Sequence, residues 1–382
     1  MDFQLTEEQQ MIREMVRDFA EKEIMPIAAE VDREGQFPAD NFKRMGELGI
    51  LGLPWPEKYG GAGADTVSYA VATEEISRAC GSHGLSYAAH VSLGSSPIYL
   101  FGTEEQKKKY LTPLARGEAI GALGLTEPEA GSDAGATKTT AVLDGTEWVI
   151  NGAKSLITNG PVAQVLIIVA KTDPSARGSH GISTFIMDAN TPGFSAGKIE
   201  EKMGLKGSPT SQLFFEDCRI PRENLLGREG EGFGQILQVL DGGRISIGAM
   251  ALGLGQAALE AAIKYAKQRY QFSRPIADFQ AVQWMIADAA TRMEAARLLV
   301  YRAAYLEDEH KTFTKEAAMG KLFASEAAEL ACYNAVQIHA GYGYTKDYPV
   351  ERFYRDNRLT QIGEGTSEIQ RLVIARQVLD NR

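Results

Sequence analysis

The chain predicts an α+β fold in which helices and strands are segregated rather than alternating. Three observations carry this. Residues 1–120 repeat apolar side chains at three- and four-residue spacing, residues 121–229 change to short apolar runs between turn residues, and residues 230–382 return to long Ala-, Leu- and Glu-rich stretches of helical periodicity. A doubly wound sheet needs strict β-α-β alternation, which this order lacks. A length of 382 residues suits two or three domains and buries a core without disulfides.

In the first zone Met11, Ile12, Met15, Val16 and Phe19 share one helix face, with Glu7 and Glu8 at its positive end, so Thr6 is the expected N-cap. Pro54 to Gly63 reads as a loop, and Tyr69–Arg78 and Glu104–Leu114 resume the helical texture. In the second zone Thr139–Leu143 and Glu147–Ile150 flank Asp144-Gly145, a hairpin signal, and Asn151-Gly152 reads as further hairpin punctuation. Val165–Ala170, Ile182–Met187 and Gln212–Phe215 follow as strands. In the third zone Gly248–Tyr270, Gln280–Glu309, Thr314–His339 and Ser367–Leu379 have lengths suited to a helical bundle.

Forty Lys and Arg against fifty Asp and Glu give a net charge of −10, which argues against nucleic acid or an anionic membrane as a partner. Any phosphate-bearing ligand must then be held by local donors. Cys80, Cys218 and Cys332 are far apart in sequence and read as buried small apolar residues of a reducing compartment. The five histidines show no zinc-binding spacing, so no metal site is expected. The start of the chain lacks the pattern of a secretory signal. The longest apolar runs, Val165–Ala170 and Ile247–Leu254, fall short of the ~20 residues of a membrane span. A soluble cytoplasmic protein is expected.

Gly253-Leu254-Gly255-Gln256-Ala257-Ala258 matches a dinucleotide-binding fingerprint, with Asp278 twenty residues beyond it. No strand precedes Asp278, so these glycines are read as permitting close helix approach. Two other stretches are more informative. Leu125-Thr126-Glu127-Pro128-Glu129-Ala130-Gly131-Ser132-Asp133 gathers hydroxyls and glycine-exposed amides where helices give way to sheet, an arrangement able to bind anionic or carbonyl oxygens, or else a plain interdomain turn. In Gln361 to Leu372, Thr366 or Ser367 can cap the last helix, leaving Glu364 between two glycines on a loop just outside it.

These two stretches, together with Leu5 to Gln9, Pro56 to Gly63, Ile157 to Gly160, Asp241 to Arg244, Gln268 to Phe272 and Gln337 to Gly343, resemble the acyl-CoA dehydrogenase family over essentially the whole chain. The resemblance implies an N-terminal α-helical domain, a central β domain and a C-terminal four-helix bundle, with FAD between sheet and bundle, in a homotetramer. It implies α,β-desaturation of a short linear or branched acyl-CoA, with electrons passed to an electron-transfer flavoprotein. An oxidase-like flavoprotein and a non-catalytic acyl-CoA or flavin scaffold are the alternatives.

Glu364 matches the family's base, and its own amide matches a donor to the thioester oxygen. Such a base must be dried to raise its pKa, which the N-terminus of the following helix opposes. In related subfamilies the base comes from the helix position occupied here by Gly243. Ser132, Asp241, Arg244 and Gly365 match substrate contacts, although Asp241 and Arg244 also suit a plain intrahelical ion pair. Flavin positions carry over as Leu123, Leu125, Thr126, Gly131, Ser132, Leu156, Ile157, Thr158, Arg269, Phe272, Gln280, Gln337, Ile338, Gly341, Thr366, Ser367 and Glu368. Arg269 is the pyrophosphate donor of that set. Leu156 replaces a usual aromatic residue, and Gly363 replaces the Tyr that many short- and medium-chain members place before the base. Gly84 to His90, in the family's acyl-pocket region, looks closest to branched-chain members. Residues 81–100 contain no Arg or Lys to hold a second carboxylate, so decarboxylation is disfavoured.

Overall fold

The computed structural model describes residues 3–176 and 178–379; residues 1–2, 177 and 380–382, which fall within the expected domains, lie outside the described residues. The helices that precede the sheet include α1 (Glu7–Phe19), α2 (Ala28–Glu34), α3 (Ala39–Glu47), α4 (Thr66–Ala79), α5 (Gly81–Ala88) and α6 (Ser96–Phe101). Thr6 caps α1 as expected. Its Oγ1 accepts from the Gln9 amide while the Gln9 side chain accepts from the Thr6 amide, a reciprocal cap worth about 1 kcal/mol. The expected helical texture over Glu104–Leu114 is present as one continuous helical run, residues 104–115, whose middle, Lys107–Leu111, widens into π-helical turns. Pro113 lacks an amide hydrogen and falls where the π-helical turns give way to the last α-helical turn.

The central sheet comprises β1 (Gly121–Gly124), β2 (Thr140–Asp144), β3 (Glu147–Thr158), β4 (Val165–Lys171), β5 (Ile182–Asp188), β6 (Phe194–Ala196), β7 (Thr210–Pro221) and β8 (Leu225–Leu226). Their order is β6-β7-β3-β2-β4-β5-β8, with β1 parallel beside β4. The unbroken apolar run of β4 is explained by burial on both faces. Val165, Ile167 and Val169 join the core shared with the N-terminal helices, whereas Leu166, Ile168 and Ala170 pack with Trp148, Phe185 and Met187 on the other side. Asp144-Gly145 makes the expected hairpin, with Gly145 at φ +63°. Asn151-Gly152 does not turn. It lies inside β3 at a bulge opposite β7, where Gly152 takes φ +144°.

The C-terminal part holds α7 (Gly232–Gln268), α8 (Gln280–Asp308), α9 (Thr314–His339), α10 (Val350–Asn357) and α11 (Ser367–Leu379). Helix α7 begins sixteen residues before the expected Gly248, so Asp241 to Arg244 lie in its interior. It packs against α8 and α9 and also against α4. Its glycines allow this: a Cβ on Gly253 would stand 2.2 Å from the Glu74 carbonyl oxygen of α4, and one on Gly255 would stand 2.6 Å from the Met293 sulfur of α8. The fingerprint-like glycines therefore serve helix packing. By length and composition α7 could cross a membrane, contrary to the expectation from its apolar runs, but 83% of its apolar window is buried within the protein.

Candidate active site

The chain leaves a short turn at Gln361 and enters α11 at Ser367 through a loop with two left-handed residues, Glu364 at φ +51° and Gly365 at φ +89°. The second requires glycine. The first is strained, a cost of order 1–3 kcal/mol that persists only where neighbours enforce it. Enforcement is visible: Lys321 Nζ of α9 donates to the Gly365 carbonyl at 2.6 Å, and Gln370 Nε2 donates to the Glu364 and Gly365 carbonyls at 3.2 and 3.0 Å. Thr366 Oγ1 accepts from the Ile369 amide, fixing the helix start.

This geometry drives the Glu364 carboxylate onto α7. Its Oε2 lies 2.0 Å from where a Cβ of Gly243 would stand, so the carboxylate occupies the space a side chain at 243 would fill. That oxygen is buried and has no hydrogen-bond partner among the described residues. Burial pushes the carboxyl up to about 7, against the opposing pull of Lys321 and Arg244. The Glu364 amide finds no acceptor among the described residues and is available to a ligand oxygen.

Arg244 and Asp241 form the intrahelical ion pair that their spacing allows, and Thr314 Oγ1 donates to Asp241 at 2.5 Å. Both are largely buried. Burial lowers the Arg244 guanidinium and raises the Asp241 carboxyl, so for each partner the loss of water exceeds the gain from pairing. From α4, Tyr69 donates to the Ala88 carbonyl at 3.3 Å, and Ser92 donates to it at 2.7 Å. Ser246 donates to the Gly243 carbonyl at 2.9 Å, closing a row of hydroxyls beneath the carboxylate. Leu93 reaches within 3.5 Å of the Gly243 Cβ position. It follows His90, whose Nδ1 accepts from the Gly121 amide and whose Nε2 meets the Leu114 carbonyl. Burial holds that imidazole down at about 4 and neutral, so His90 ties helix to sheet while Leu93 faces the site.

The Leu125 to Asp133 stretch is fixed from below by a buried ion pair. Lys154 Nζ on β3 donates to Glu127 Oε1 at 2.7 Å, to Thr137 Oγ1 at 3.0 Å and to the Leu125 carbonyl at 3.2 Å. Glu127 also accepts from the Lys138 and Thr139 amides. Burial raises its carboxyl, but Lys154 and these donors win and hold it down at about 2. A second bulge in β3, between Lys154 and Ile157, frees the Ser155 amide to donate to the Thr126 carbonyl at 2.8 Å and turns Leu156 outward, 65% exposed at φ +57°. Leu125 and Thr126 are therefore held against β3 beside Leu156, with Thr158 two residues further along that strand. Leu123 and Ile157 point into the core, which leaves only their backbone to a ligand; Gly131 and Ser132 are exposed on the loop. Sequence reasoning missed Lys154, Lys321, Tyr69 and Leu93. The signal for Lys321 was its register with the buried Ala317, Ala318, Ala324 and Ala328 on one face of α9.

Three family models match consecutively: the N-terminal domain of acyl-CoA dehydrogenase over residues 6–118, its middle domain over 122–218 and its C-terminal domain over 230–379. The chain belongs to the acyl-CoA dehydrogenase family. A probable acyl-CoA dehydrogenase of Bacillus subtilis is 58% identical over 99% of this chain and 100% of its own length. A short-chain specific acyl-CoA dehydrogenase of Clostridium acetobutylicum is 52% identical over 99% and 100%. In a solved structure described as the electron transferring flavoprotein of Acidaminococcus fermentans, one chain is 52% identical, covers 100% of both chains and superimposes with a TM-score of 0.98.

An acyl-CoA dehydrogenase is a flavin-dependent oxidoreductase that desaturates the CH–CH bond beside the thioester, and FAD is its cofactor. The residues at the C-terminal end of α7 fit the phosphates of such a group. Arg269 opens a pocket of about 470 Å³ lined by Tyr265, Gln271, Ile338, His339, Gly341 and Tyr342. It makes no ion pair among the described residues, its guanidinium lying 5.8 Å over the Tyr342 ring. A side chain at Gly341 would meet nothing within 4 Å, so that wall is open. Phe272 and Ser273 form the turn of a small hairpin between β9 (Tyr270–Gln271) and β10 (Arg274–Pro275), both at positive φ, leaving Phe272 88% exposed. Gln280 and Gln337 are also exposed. This face gathers Arg269, Ile338 and Gly341 in its pocket, which the Leu125 loop and Glu364 do not line. Of the last three flavin positions, Thr366 caps α11, Ser367 is buried with an Oγ that has no partner among the described residues, and Glu368 is exposed.

Proposed function

We propose that this protein desaturates short linear or branched acyl-CoA thioesters to 2-enoyl-CoA and passes the electrons to an electron-transfer flavoprotein, with Glu364 as the base that removes the α-proton. The observation that carries this reading is the Glu364 carboxyl itself, whose Oε2 is buried, unpartnered among the described residues and seated in the space left by Gly243. A carboxylate stripped of water is a stronger base, and a value near 7 balances the ionised fraction against basicity at neutral pH. When bound, FAD supplies the acceptor for the hydride leaving the β-carbon. The Glu364 amide would donate to the thioester oxygen as negative charge develops there, a contribution that operates in the transition state. Arg269, Gln337 and Gly341 would hold the cofactor's phosphates, and Leu125, Thr126, Leu156 and Thr158 would face its ring. Asp241, Arg244, Ser132 and Gly365 would position the acyl-CoA.

The short-chain assignment is supported by the relative from Clostridium acetobutylicum, and the acceptor by the structure from Acidaminococcus fermentans. Gly363 meets only ordinary contacts at 3.6 Å from Leu359, so glycine there is demanded neither by space nor by backbone and leaves room beside the base. We further propose division into domains near residues 120 and 229, a cytoplasmic location and a homotetramer; exposed Phe272, Trp284 and Tyr344 support burial against other copies. The test is anaerobic bleaching of the flavin by butyryl-, isobutyryl-, isovaleryl-, hexanoyl- and octanoyl-CoA. Glu364→Gln is expected to lower the bleaching rate at least a thousandfold while keeping the flavin bound; parental bleaching in that variant would overturn the assignment of the base.

A further inference from the structure

Lys321 stands on α9 with its side chain in the interior, its backbone 3.6 Å from the Cβ position of Gly248 on α7. Its ammonium makes no ion pair among the described residues and donates instead to the Gly365 carbonyl. An ammonium withdrawn from water toward a single carbonyl is poorly compensated. It shares the work of holding the loop with Gln370, which donates to the same carbonyl. What the position adds is a positive charge beside the residue that precedes Gly365.

We propose that Lys321 is a positioning residue for Glu364, its buried charge keeping the base ionised at neutral pH while its hydrogen bond fixes the loop that carries it. This rests on Glu364 being the base. The groups facing Glu364 are Lys321 from α9, Arg244 with its partner Asp241 from α7, and Tyr69 from α4; Glu368 on α11 acts on Lys321 from the exposed side. Burial drives Glu364 toward its neutral form and the two cations oppose that drive. Burial lowers Lys321 to about 8, still above Glu364, so the ammonium is charged where the carboxyl begins to ionise.

The experiment measures the rate of anaerobic flavin bleaching by butyryl-CoA against pH in the FAD-loaded protein and in Lys321→Met, Lys321→Gln, Lys321→Arg and Glu364→Gln. Both neutral variants at 321 are expected to move the acidic limb of the profile upward by about one unit, roughly tenfold in rate below the limb, with the plateau at high pH kept within about threefold. Lys321→Arg is expected to return the limb to its parental position. Lys321→Gln retains a donor but no charge, so a limb restored by glutamine would reduce Lys321 to a tether and overturn the proposal, as would an unmoved limb in both neutral variants. Should Lys321→Met fail to retain flavin, Lys321→Gln carries the comparison. Loss of bleaching in Glu364→Gln with an unmoved limb at 321 refutes only the role of Lys321, whereas parental bleaching in Glu364→Gln refutes the base itself.

Discussion

Glu364 and Gly243 exclude each other's alternatives. With Oε2 2.0 Å from the Cβ position of residue 243, no side chain larger than hydrogen fits there unless the carboxylate leaves. Gly242, one position earlier on the same helix, has only the Glu307 carboxylate at 3.6 Å, an ordinary contact. The two glycines therefore make a controlled pair. Alanine is favoured over glycine in a helix interior by up to ~1 kcal/mol, so neither substitution is expected to unfold the protein. Gly243→Ala is expected to slow flavin bleaching at least tenfold by displacing the carboxylate, and Gly242→Ala to stay within threefold of the parent. Equal rates in the two variants, measured by stopped-flow absorbance, would show that the Glu364 side chain does not depend on the space at 243.

At the scale of elements, the Leu125 loop owes its shape to strand β3 more than to its own sequence. The bulge at Ser155 and Leu156 and the Glu127–Lys154 pair both come from β3, and together they hold the loop backbone at Thr126 and Leu125. Removing one partner of such a pair leaves a buried charge without compensation, at a cost of about 3–5 kcal/mol, whereas replacing both is often close to neutral. Lys154→Met is expected to lower the thermal midpoint sharply, and adding Glu127→Gln to recover most of the loss; a double-mutant cycle with no coupling would contradict the geometry. Here the limits of legibility have a physical cause. Helix and strand zones could be read because periodicity is local, and so could the Thr6 cap because a cap spans three residues, while at the last helix the sequence leaves Thr366 and Ser367 open and the structure selects Thr366. The bulges could not, since Asn151-Gly152 carries the same letters in a turn as in a bulged strand, and only the pairing with β7 decides. Lys154 and Lys321 escaped because burial of a lysine depends on partners 27 and 44 residues away.

Across the whole molecule, the net charge of −10 is distributed so that several carboxyls lie where water is scarce. Burial raises Glu307, Asp356 and Glu364 to about 7, and for Glu307 the neighbouring Asp308 and Asp241 add to the rise. A carboxyl whose folded pKa exceeds its unfolded value binds its proton more tightly in the fold. Its neutral form is therefore favoured at low pH, and stability is lost as pH climbs from about 4 to about 7, then changes no further. Glu127 runs the other way: its contribution is present above the ordinary carboxylate range and disappears as pH falls toward 2. Of the three raised acids, Glu307 and Asp356 lie outside the proposed roles; Asp356 is fully buried and accepts from the Leu205 amide, whereas Glu307 is half-buried near the end of α8 and close to Gly242. Glu307→Gln removes the proton-linked cost while keeping the shape. Its stabilising effect should be near zero at pH 4, grow through pH 5 and 6, and level off above pH 7 at ~1–2 kcal/mol, a figure reduced to allow for the residue's partial exposure. Thermal unfolding of parent and variant across that range checks the sign as well as the size. A gain that is the same at every pH would trace to packing or helix propensity, and a loss at pH 8 would mean that the ionised carboxylate has a partner in the folded protein.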